Sequence, residues 1–289
     1  MGQKFVGRIA LLFGMASLTF ILLTICGQAI AETEKANFSF NLYGEILKQY
    51  VTDNGLVDYS GLKANRKPLD EFIASLSRLD PQVYDAWSDE EKIAFWINDY
   101  NALTLKAIID HYPIKASFFE SLIYPRNSIR QIPGVWDKLT FPVMGRELTL
   151  DGIEHGILRT KFDEPRIHMA LVCAAMGCPP LRNEPYIAAK LNAQLDNQAS
   201  NFLKNKNKFR IDLAANKVYL SPIFDWFGQD FIKNYGVEDE FSGFSAKQRA
   251  VLNFISRYVG LADKAFLMKD GFSIEYLNYD WSLNEKGNP

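Results

Sequence analysis

The spacing of apolar residues along the chain predicts several amphipathic helices. Apolar residues recur every three or four positions in 38–52, 70–79 and 88–111, which is the period of a helix with one buried face. Ser88 is followed three residues later by Glu91, the pattern of a capping box at a helix N-terminus. The stretch after Ser88 is the longest periodic segment, and we predict that it forms the central buried helix.

A second pattern, alternation of apolar and polar residues, predicts the strands. Two segments bracket short turns and predict hairpins, at 139–150 and 209–220. Segment 166–173 is apolar on both faces, which predicts a central, doubly covered strand. Further helices are expected at 151–161, 185–205, 223–233 and 245–258, and a late strand at 272–276. Hairpins with clustered helices and no βαβ alternation indicate an α+β fold, a single domain whose largely antiparallel sheet is packed by several helices.

The N-terminus has the order of features found in secretory signals. Lys4 and Arg8 precede an apolar run over 9–26, and Ala29-Ile30-Ala31 then supplies small residues where a signal peptidase cleaves. We therefore expect residues 1–31 to be a signal peptide and 32–289 to be one globular domain, periplasmic or secreted, without a stable membrane anchor. An uncleaved anchor and a lipoprotein attached through Cys26 are the alternatives.

The charge balance narrows the choice of partner. The chain has 32 Lys and Arg against 34 Asp and Glu, and loss of the signal would make it more acidic. A nucleic-acid-binding protein needs a basic field, so nucleic acid is excluded and an unknown small molecule or peptide is expected. No dinucleotide fingerprint, P-loop or zinc motif is present. We expect no cofactor and no metal.

The predicted domain has only two cysteines, Cys173 and Cys178. In an oxidising compartment, two cysteines five positions apart most simply form a disulfide that stabilises a loop. The alternative is that one of them is a nucleophilic thiol. Cys178 is then the better candidate, because the Gly-Cys-Pro-Pro turn would present its side chain from a rigid edge, and Cys173 is the second.

The chain has three histidines, and a nucleophilic thiol needs one of them as its base. His111 is predicted at the C-terminal end of a helix, where a surface cation is favourable. His155 and His168 remain as candidates. In a strand, His168 and Cys173 would point to opposite faces because they are an odd number of residues apart. Cys178 can meet His168 if the intervening loop folds back, and the alternative is that His155 approaches from its helix.

The predicted central helix has polar residues on an otherwise apolar segment. Asn98 and Asn101 share one face, as do Trp96 and Tyr100. Buried amides must find partners. In one interpretation Asn98 orients a histidine or stabilises an oxyanion, while Glu154, Trp96, Tyr100 and Asn101 line the pocket. In the other, the two amides bind the backbone of a neighbouring loop.

Several of these stretches together resemble a known family, the domain of unknown function 547 family in its bacterial, exported form. The resemblance is carried by FWINDYNALT (95–104), LDGIEHGILR (150–159), HMALVC (168–173) and CPPL (178–181), with support from 57–59 and 220–231. It covers about residues 85–235. The family has no assigned function, so the resemblance shows which residues occur together and not what they do.

Two functional hypotheses follow. The first is a thiol-dependent hydrolase or acyltransferase with a papain-like arrangement, in which Cys178 or Cys173 is the nucleophile and His155 or His168 the base. The second is a non-catalytic ligand- or partner-binding module in which Cys173 and Cys178 form a structural disulfide. A purely structural role has no sequence support beyond the predicted export.

Overall fold

The computed structural model describes residues 38–269 and 271–287. The predicted signal peptide 1–31 and the alternatives at the N-terminus, including Cys26, lie outside these residues. From Phe40 onwards the chain forms one compact unit. Among the described helices, none has both the length and the apolar character that a membrane span requires.

Five helices form the N-terminal part of this unit. They are α1 (Asn41–Tyr50), α2 (Tyr59–Ala64), α3 (Lys67–Arg78), α4 (Pro81–Asp85) and α5 (Asp89–His111). The predicted capping box is present, with the Ser88 hydroxyl accepting from the Glu91 N–H and the Glu91 carboxylate accepting from the Ser88 N–H. Every residue from Ile93 to Ile109 except Lys106 is buried. Helix α5 is therefore enclosed on all sides, as expected for the central helix.

The strands form two small sheets. Strands β1 (Phe141–Val143) and β2 (Arg146–Leu148) pair as the predicted antiparallel hairpin around Met144 and Gly145, which both have positive φ as tight two-residue turns require. Strands β3 (Phe209–Asp212) and β4 (Lys217–Leu220) form the second predicted hairpin, and β5 (Ser273–Tyr276) pairs in parallel with β4. The predicted α+β class is confirmed.

The C-terminal part packs short helices against the three-stranded sheet. Its helices are α8 (Leu191–Lys204), α9 (Ile223–Trp226), α10 (Ile232–Tyr235), α11 (Ala246–Ser256) and α12 (Leu261–Leu267). They enclose an apolar core rich in phenylalanine, including Phe202, Phe224, Phe231 and Phe254. A helix over Leu150–Lys161 lies between the two parts. It is made of α6 (Leu150–Ile153), a π turn (Glu154–Leu158) and α7 (Arg159–Lys161).

The prediction of a strand at 166–173 is wrong. Pro165–Met169 is a 3₁₀ helix, and the residues after it run through the core without a neighbouring strand. Asn101 of α5 accepts from the Val172 N–H at 2.9 Å and donates to the Ala170 carbonyl at 3.0 Å. Gln198 of α8 donates to the Met169 carbonyl at 3.2 Å. Side-chain amides thus satisfy the buried backbone that a sheet would otherwise satisfy.

This correction changes the geometry expected for the histidine and the cysteine. His168 and Cys173 would face opposite sides only in a strand, and the backbone between them is not one. Both residues line the same cleft. The apolar character that suggested a doubly covered strand reflects burial alone, since residues 167–172 are all buried.

Candidate functional site

A cleft of about 300 Å³ lies between the helix Leu150–Lys161, the cysteine loop and the C-terminal segment. Its volume is at the lower end of the range for small-molecule sites. Six of the residues singled out from the sequence line it: Tyr100, Glu154, His155, His168, Cys173 and Cys178. Residues far apart in the sequence therefore meet in one place.

The other three predicted site residues lie outside the lining of this cleft. Asn98 donates to the Tyr186 carbonyl at 2.8 Å and accepts from the Tyr186 N–H at 2.9 Å. Asn101 bonds the backbone at 170 and 172, as described above. The indole of Trp96 donates to the Tyr84 hydroxyl at 2.8 Å. Both amides therefore do what the second interpretation of them expected, which is to hold neighbouring backbone.

The π turn brings Glu154 and His155 to the cleft. Within it, the Arg159 N–H donates to the Glu154 carbonyl five residues earlier, in place of the usual four. Such single π turns are frequent at functional sites because they change the direction in which side chains point. Here Glu154 is buried and His155 is exposed, and both line the cleft.

Glu154 is a carboxyl group that changes charge near neutral pH. Burial raises its pKa from 4.5 to about 7, while a hydrogen bond from the Tyr100 hydroxyl and the charge of Arg159 act in the opposite direction. The cleft therefore contains a group that can hold or release a proton at physiological pH.

His155 contacts two charged side chains one helical turn away on either side. Its Nδ1 lies 3.0 Å from an Arg159 guanidinium nitrogen, and its Nε2 lies 3.8 Å from an Asp151 oxygen. A guanidinium can only donate, so Nδ1 accepts and the proton of the neutral ring is on Nε2. Burial, and then the Arg159 charge, lower the pKa of His155.

His168 is held by a carboxylate that the sequence did not single out. Its Nε2 lies 2.8 Å from Oδ2 of Asp230, and its ring stacks on Phe227 at 4.1 Å between centroids. Arg159 donates to both Asp230 oxygens, at 2.6 and 2.8 Å. Burial alone would raise the pKa of Asp230, but the hydrogen bonds from His168 and Arg159 hold it well below its usual range.

This arrangement fixes the protonation of His168. Burial lowers its pKa despite the neighbouring carboxylate, so the ring is neutral at pH 7 and its Nε2–H donates to Asp230. Asp230 thus has the orienting role that the sequence analysis considered for Asn98.

No three His, Cys, Asp or Glu side chains in the described part of the chain are grouped so that they could hold a metal ion.

Cys173 and Cys178 form a disulfide. The Tyr279 hydroxyl lies 3.3 Å from the Cys173 sulfur and 3.1 Å from the Cys178 sulfur. A glycine is needed at position 177, next to Tyr279, because a Cβ there would lie 2.5 Å from the Tyr279 ring. In this state neither sulfur is a nucleophile, since a thiolate is required for that role.

The C-terminal segment closes the cysteine loop from outside. The Met176 N–H donates to the Ser282 carbonyl at 2.8 Å, and the Gly177 N–H donates to the Asp280 carbonyl at 2.7 Å. Ala175 and Leu283 form an antiparallel bridge. These contacts bring Tyr279 and Trp281 to the cleft, where they form an aromatic wall with Trp226.

Arg130 is the only Lys or Arg in the cleft lining, and it is surrounded by aromatic rings. Its guanidinium lies 4.5 Å from the ring centroid of Tyr124, 4.9 Å from that of Trp281 and 5.3 Å from that of Trp136. One nitrogen donates to the Tyr124 hydroxyl at 2.6 Å. No described carboxylate lies within 4.0 Å of this guanidinium, in contrast to Arg159.

Four residues of the site were not predicted from the sequence: Arg130, Asp230, Tyr279 and Trp281. A single arginine among aromatic residues has no recognisable spacing, and its neighbours come from distant segments. Asp230 did lie inside a stretch that carries the family resemblance, 220–231, which was the one available signal.

Comparison with protein families supports that resemblance in part. Residues 84–203 match the model of a protein family of unknown function, DUF547. This part of the chain is DUF547-like. No curated protein and no solved structure matches the chain. The matched region includes both cysteines, Glu154, His155 and His168, whereas Asp230, Tyr279 and Trp281 lie beyond it. The DUF547-like region therefore supplies one side of the cleft, and later residues supply the other.

Proposed function

We propose that the chain is a binding module for a small ligand that carries a carboxylate or another anionic group on a flat apolar frame. The observation that carries this proposal is Arg130, a cleft-lining cation held among Tyr124, Trp136 and Trp281 with no described carboxylate partner. A guanidinium offers paired donors that match the two oxygens of a carboxylate. The aromatic rings fix its position and reduce the entropy lost on binding.

The aromatic wall supports a flat ligand. The rings of Tyr279 and Trp281 lie 4.6 Å apart between centroids, and Trp226 lies 4.9 Å from Tyr279. The indole of Trp226 is exposed despite its size. Rings of this kind bind the apolar faces of sugars and of aromatic compounds, and both classes include carboxylates.

The disulfide supports a binding module over a thiol enzyme. With Cys173 bonded to Cys178, the loop that carries them is a fixed wall of the cleft, tied further to Tyr279. Disulfides persist in oxidising compartments. This is consistent with the periplasmic or secreted location that we propose from the N-terminal sequence.

Calorimetric titration with matched probe pairs tests the anion requirement. Benzoate is compared with benzamide, and glucuronate with glucose, so that each pair differs in the carboxylate. We expect the carboxylate of at least one pair to bind about tenfold or more tightly than its neutral partner, because charged hydrogen bonds contribute about 1.5–3 kcal/mol. Quenching of tryptophan fluorescence provides a second readout, since Trp136, Trp226 and Trp281 all line the cleft.

Two variants assign that preference to Arg130. In Arg130→Gln the carboxylate preference should disappear, while neutral probes bind as before. Arg126→Gln removes an exposed arginine four residues away and should leave binding unchanged. Equal binding of charged and neutral probes by the unmodified chain, or an undiminished preference in Arg130→Gln, would refute the proposal.

A thiol-dependent hydrolase or acyltransferase is the second candidate. The specific observation in its favour is that both sulfurs, His155 and His168 line one cleft, with Asp230 orienting His168. This function needs a dithiol reductant, which converts the disulfide to two thiols while the reductant is itself oxidised to a disulfide. The freed thiolate of Cys173 or Cys178 would then be the nucleophile.

Alkylation of the reduced chain tests this candidate. After reduction, iodoacetamide is added at neutral pH and the labelling rate of each cysteine is read by mass spectrometry. A thiol activated by His168 should react several-fold faster than the thiol of glutathione and slow down in His168→Asn. Rates equal to glutathione, unaffected by that substitution, would exclude the enzyme.

A further inference from the structure

Four large apolar side chains are exposed together next to the cleft. Phe118 and Phe119 are each 76% exposed, Leu122 is 73% exposed and Ile123 is 75% exposed. We call these four residues the apolar tip. No residue from 113 to 127 is buried. A contiguous exposed group of this kind marks an interaction surface, whereas single exposed apolar residues such as Leu213 and Leu261 are ordinary.

The apolar tip is held in a defined shape by polar contacts at its base. The buried Gln131 side chain accepts from the Ser117 N–H at 2.8 Å and donates to the Pro125 carbonyl at 3.1 Å. The Ser121 hydroxyl donates to the Ser117 carbonyl at 2.6 Å. The conformation that these hydrogen bonds hold therefore exposes the four apolar side chains, and the loop does not fold over them.

Charges beside the apolar tip are mainly positive. Lys115 and Arg126 are exposed on either side of it, and Glu120 is the one acidic residue between them. The chain as a whole has a net charge of −2. The local charge of the segment is therefore +1 on a chain of net negative charge, and each cation near a bilayer favours an anionic lipid surface over a neutral one.

The size of the apolar tip also favours a lipid surface over a protein. Stable protein interfaces bury roughly 800 Å² on each partner and use about 20–30 residues. The apolar tip comprises four side chains on one short segment, which is too little for that. Insertion of a few apolar side chains between lipid headgroups needs no matching shape on the other side.

We infer that the apolar tip docks this chain peripherally on an anionic lipid bilayer, with the mouth of the cleft beside the lipid surface. The link to the cleft is Tyr124, which directly follows the apolar tip. Its ring lies 6.0 Å from that of Trp281, and its hydroxyl accepts from Arg130 at 2.6 Å. Docking does not depend on the proposed ligand, and either can fail without the other.

Vesicle flotation combined with hydrogen exchange tests the inference on the full chain. Vesicles contain phosphatidylcholine alone or phosphatidylcholine with phosphatidylglycerol. We expect flotation with the anionic vesicles, with amide exchange over 114–124 slowed several-fold. Exchange is a local readout, so it reports on the apolar tip even if the N-terminal apolar segment 9–26 is retained and binds vesicles itself. Flotation without protection of 114–124 would overturn the inference.

Matched variants decide whether the apolar tip is responsible. The double variant F118S/F119S should lose the protection of 114–124 and, in chains lacking residues 1–31 by intact mass, partition at least about tenfold less into vesicles. The control L213S/L261S removes two equally exposed apolar side chains and should behave like the unmodified chain. Carboxylate-probe binding in solution should be unchanged in both variants.

Two other outcomes would refute lipid docking. One is equal loss of vesicle binding in the control variant, which would mean that the effect is general hydrophobicity. The other is self-association without vesicles that F118S/F119S abolishes, because the apolar tip would then bind a second copy of the chain. Sedimentation over a range of concentrations detects this second case.

Discussion

Replacing Asn101 by alanine should destabilise the protein through the backbone on which His168 and Cys173 are placed. Asn101 is buried in α5 and makes two hydrogen bonds, one to the Val172 N–H at 2.9 Å and one to the Ala170 carbonyl at 3.0 Å. Both of those residues are themselves buried. In Asn101→Ala, one N–H and one carbonyl lose their partners where water has little access.

The expected cost follows from these two groups. A buried polar group left without a partner costs about 1–3 kcal/mol, so the loss of two partners should lower the free energy of unfolding by about 2–6 kcal/mol. Asn101→Asp keeps an acceptor for Val172 but faces the Ala170 carbonyl with an oxygen, and it should cost at least as much. Asn201→Ala on α8 is the control. That asparagine is exposed, so its replacement should change stability by less than about 0.5 kcal/mol.

Urea unfolding followed by circular dichroism measures these differences, with the slope of the transition checked for constancy. Amide exchange at Leu171 and Val172 provides the local readout and should accelerate in Asn101→Ala before the rest of the core is affected. A loss below about 1 kcal/mol for Asn101→Ala, with unchanged exchange at these residues, would show that the amide does not hold this segment.

Three further predictions concern the cleft and the core. Gly177→Ala should cost about 1–3 kcal/mol and weaken carboxylate-probe binding, because the new Cβ would displace the Tyr279 ring; unchanged thermal stability and affinity would contradict this. The pKa of Glu154 is raised from 4.5 to about 7 in the folded chain. The protonated side chain therefore stabilises the folded state at low pH, and this contribution to the free energy of unfolding is lost as the pH rises from 4.5 to about 7. Glu154→Gln should therefore gain about 3 kcal/mol relative to the unmodified chain between pH 4.5 and 8, and parallel pH profiles would refute this. Asp99 has both carboxylate oxygens buried without a partner among the described residues, and burial raises its pKa. Asp99→Asn should be more stable than the unmodified chain at pH 7. In denaturant titrations, its free energy of unfolding should fall less steeply than that of the unmodified chain as the pH rises above 3.8.

The sequence was sufficient to predict elements that are set by local chemistry. The capping box at Ser88 and the hairpin around Met144-Gly145 depend on residues within a few positions of each other, and the structure has both. Helix boundaries were less accurate, as α8 begins at Leu191 and not at 185. A periodic pattern reports which face is buried, whereas the ends are decided by capping and neighbouring contacts.

The strand predicted at 166–173 failed for a different reason. An apolar run is compatible with any buried backbone. The residues of the run do not indicate which groups will form hydrogen bonds with that backbone. Here the partners are Asn101 and Gln198, which belong to two helices distant in the sequence. The same dependence on distant residues explains the partial view of the cleft. Motifs predicted part of its DUF547-like side, but Arg130, which also belongs to that side, and Asp230 and Tyr279, which lie beyond it, are brought to the site by the fold.

The contacts between the cysteine loop and residues 280–283 have a consequence for the synthesis of the protein on the ribosome. On the ribosome, the DUF547-like half of the cleft emerges while Tyr279 and Trp281 are still to be added. Until then the loop around Cys173 and Cys178 lacks the backbone partners that Asp280 and Ser282 provide. Vectorial synthesis thus leaves one side of the cleft open until residues 279–281 have been added, and the ligand site that we propose is complete only from that point on.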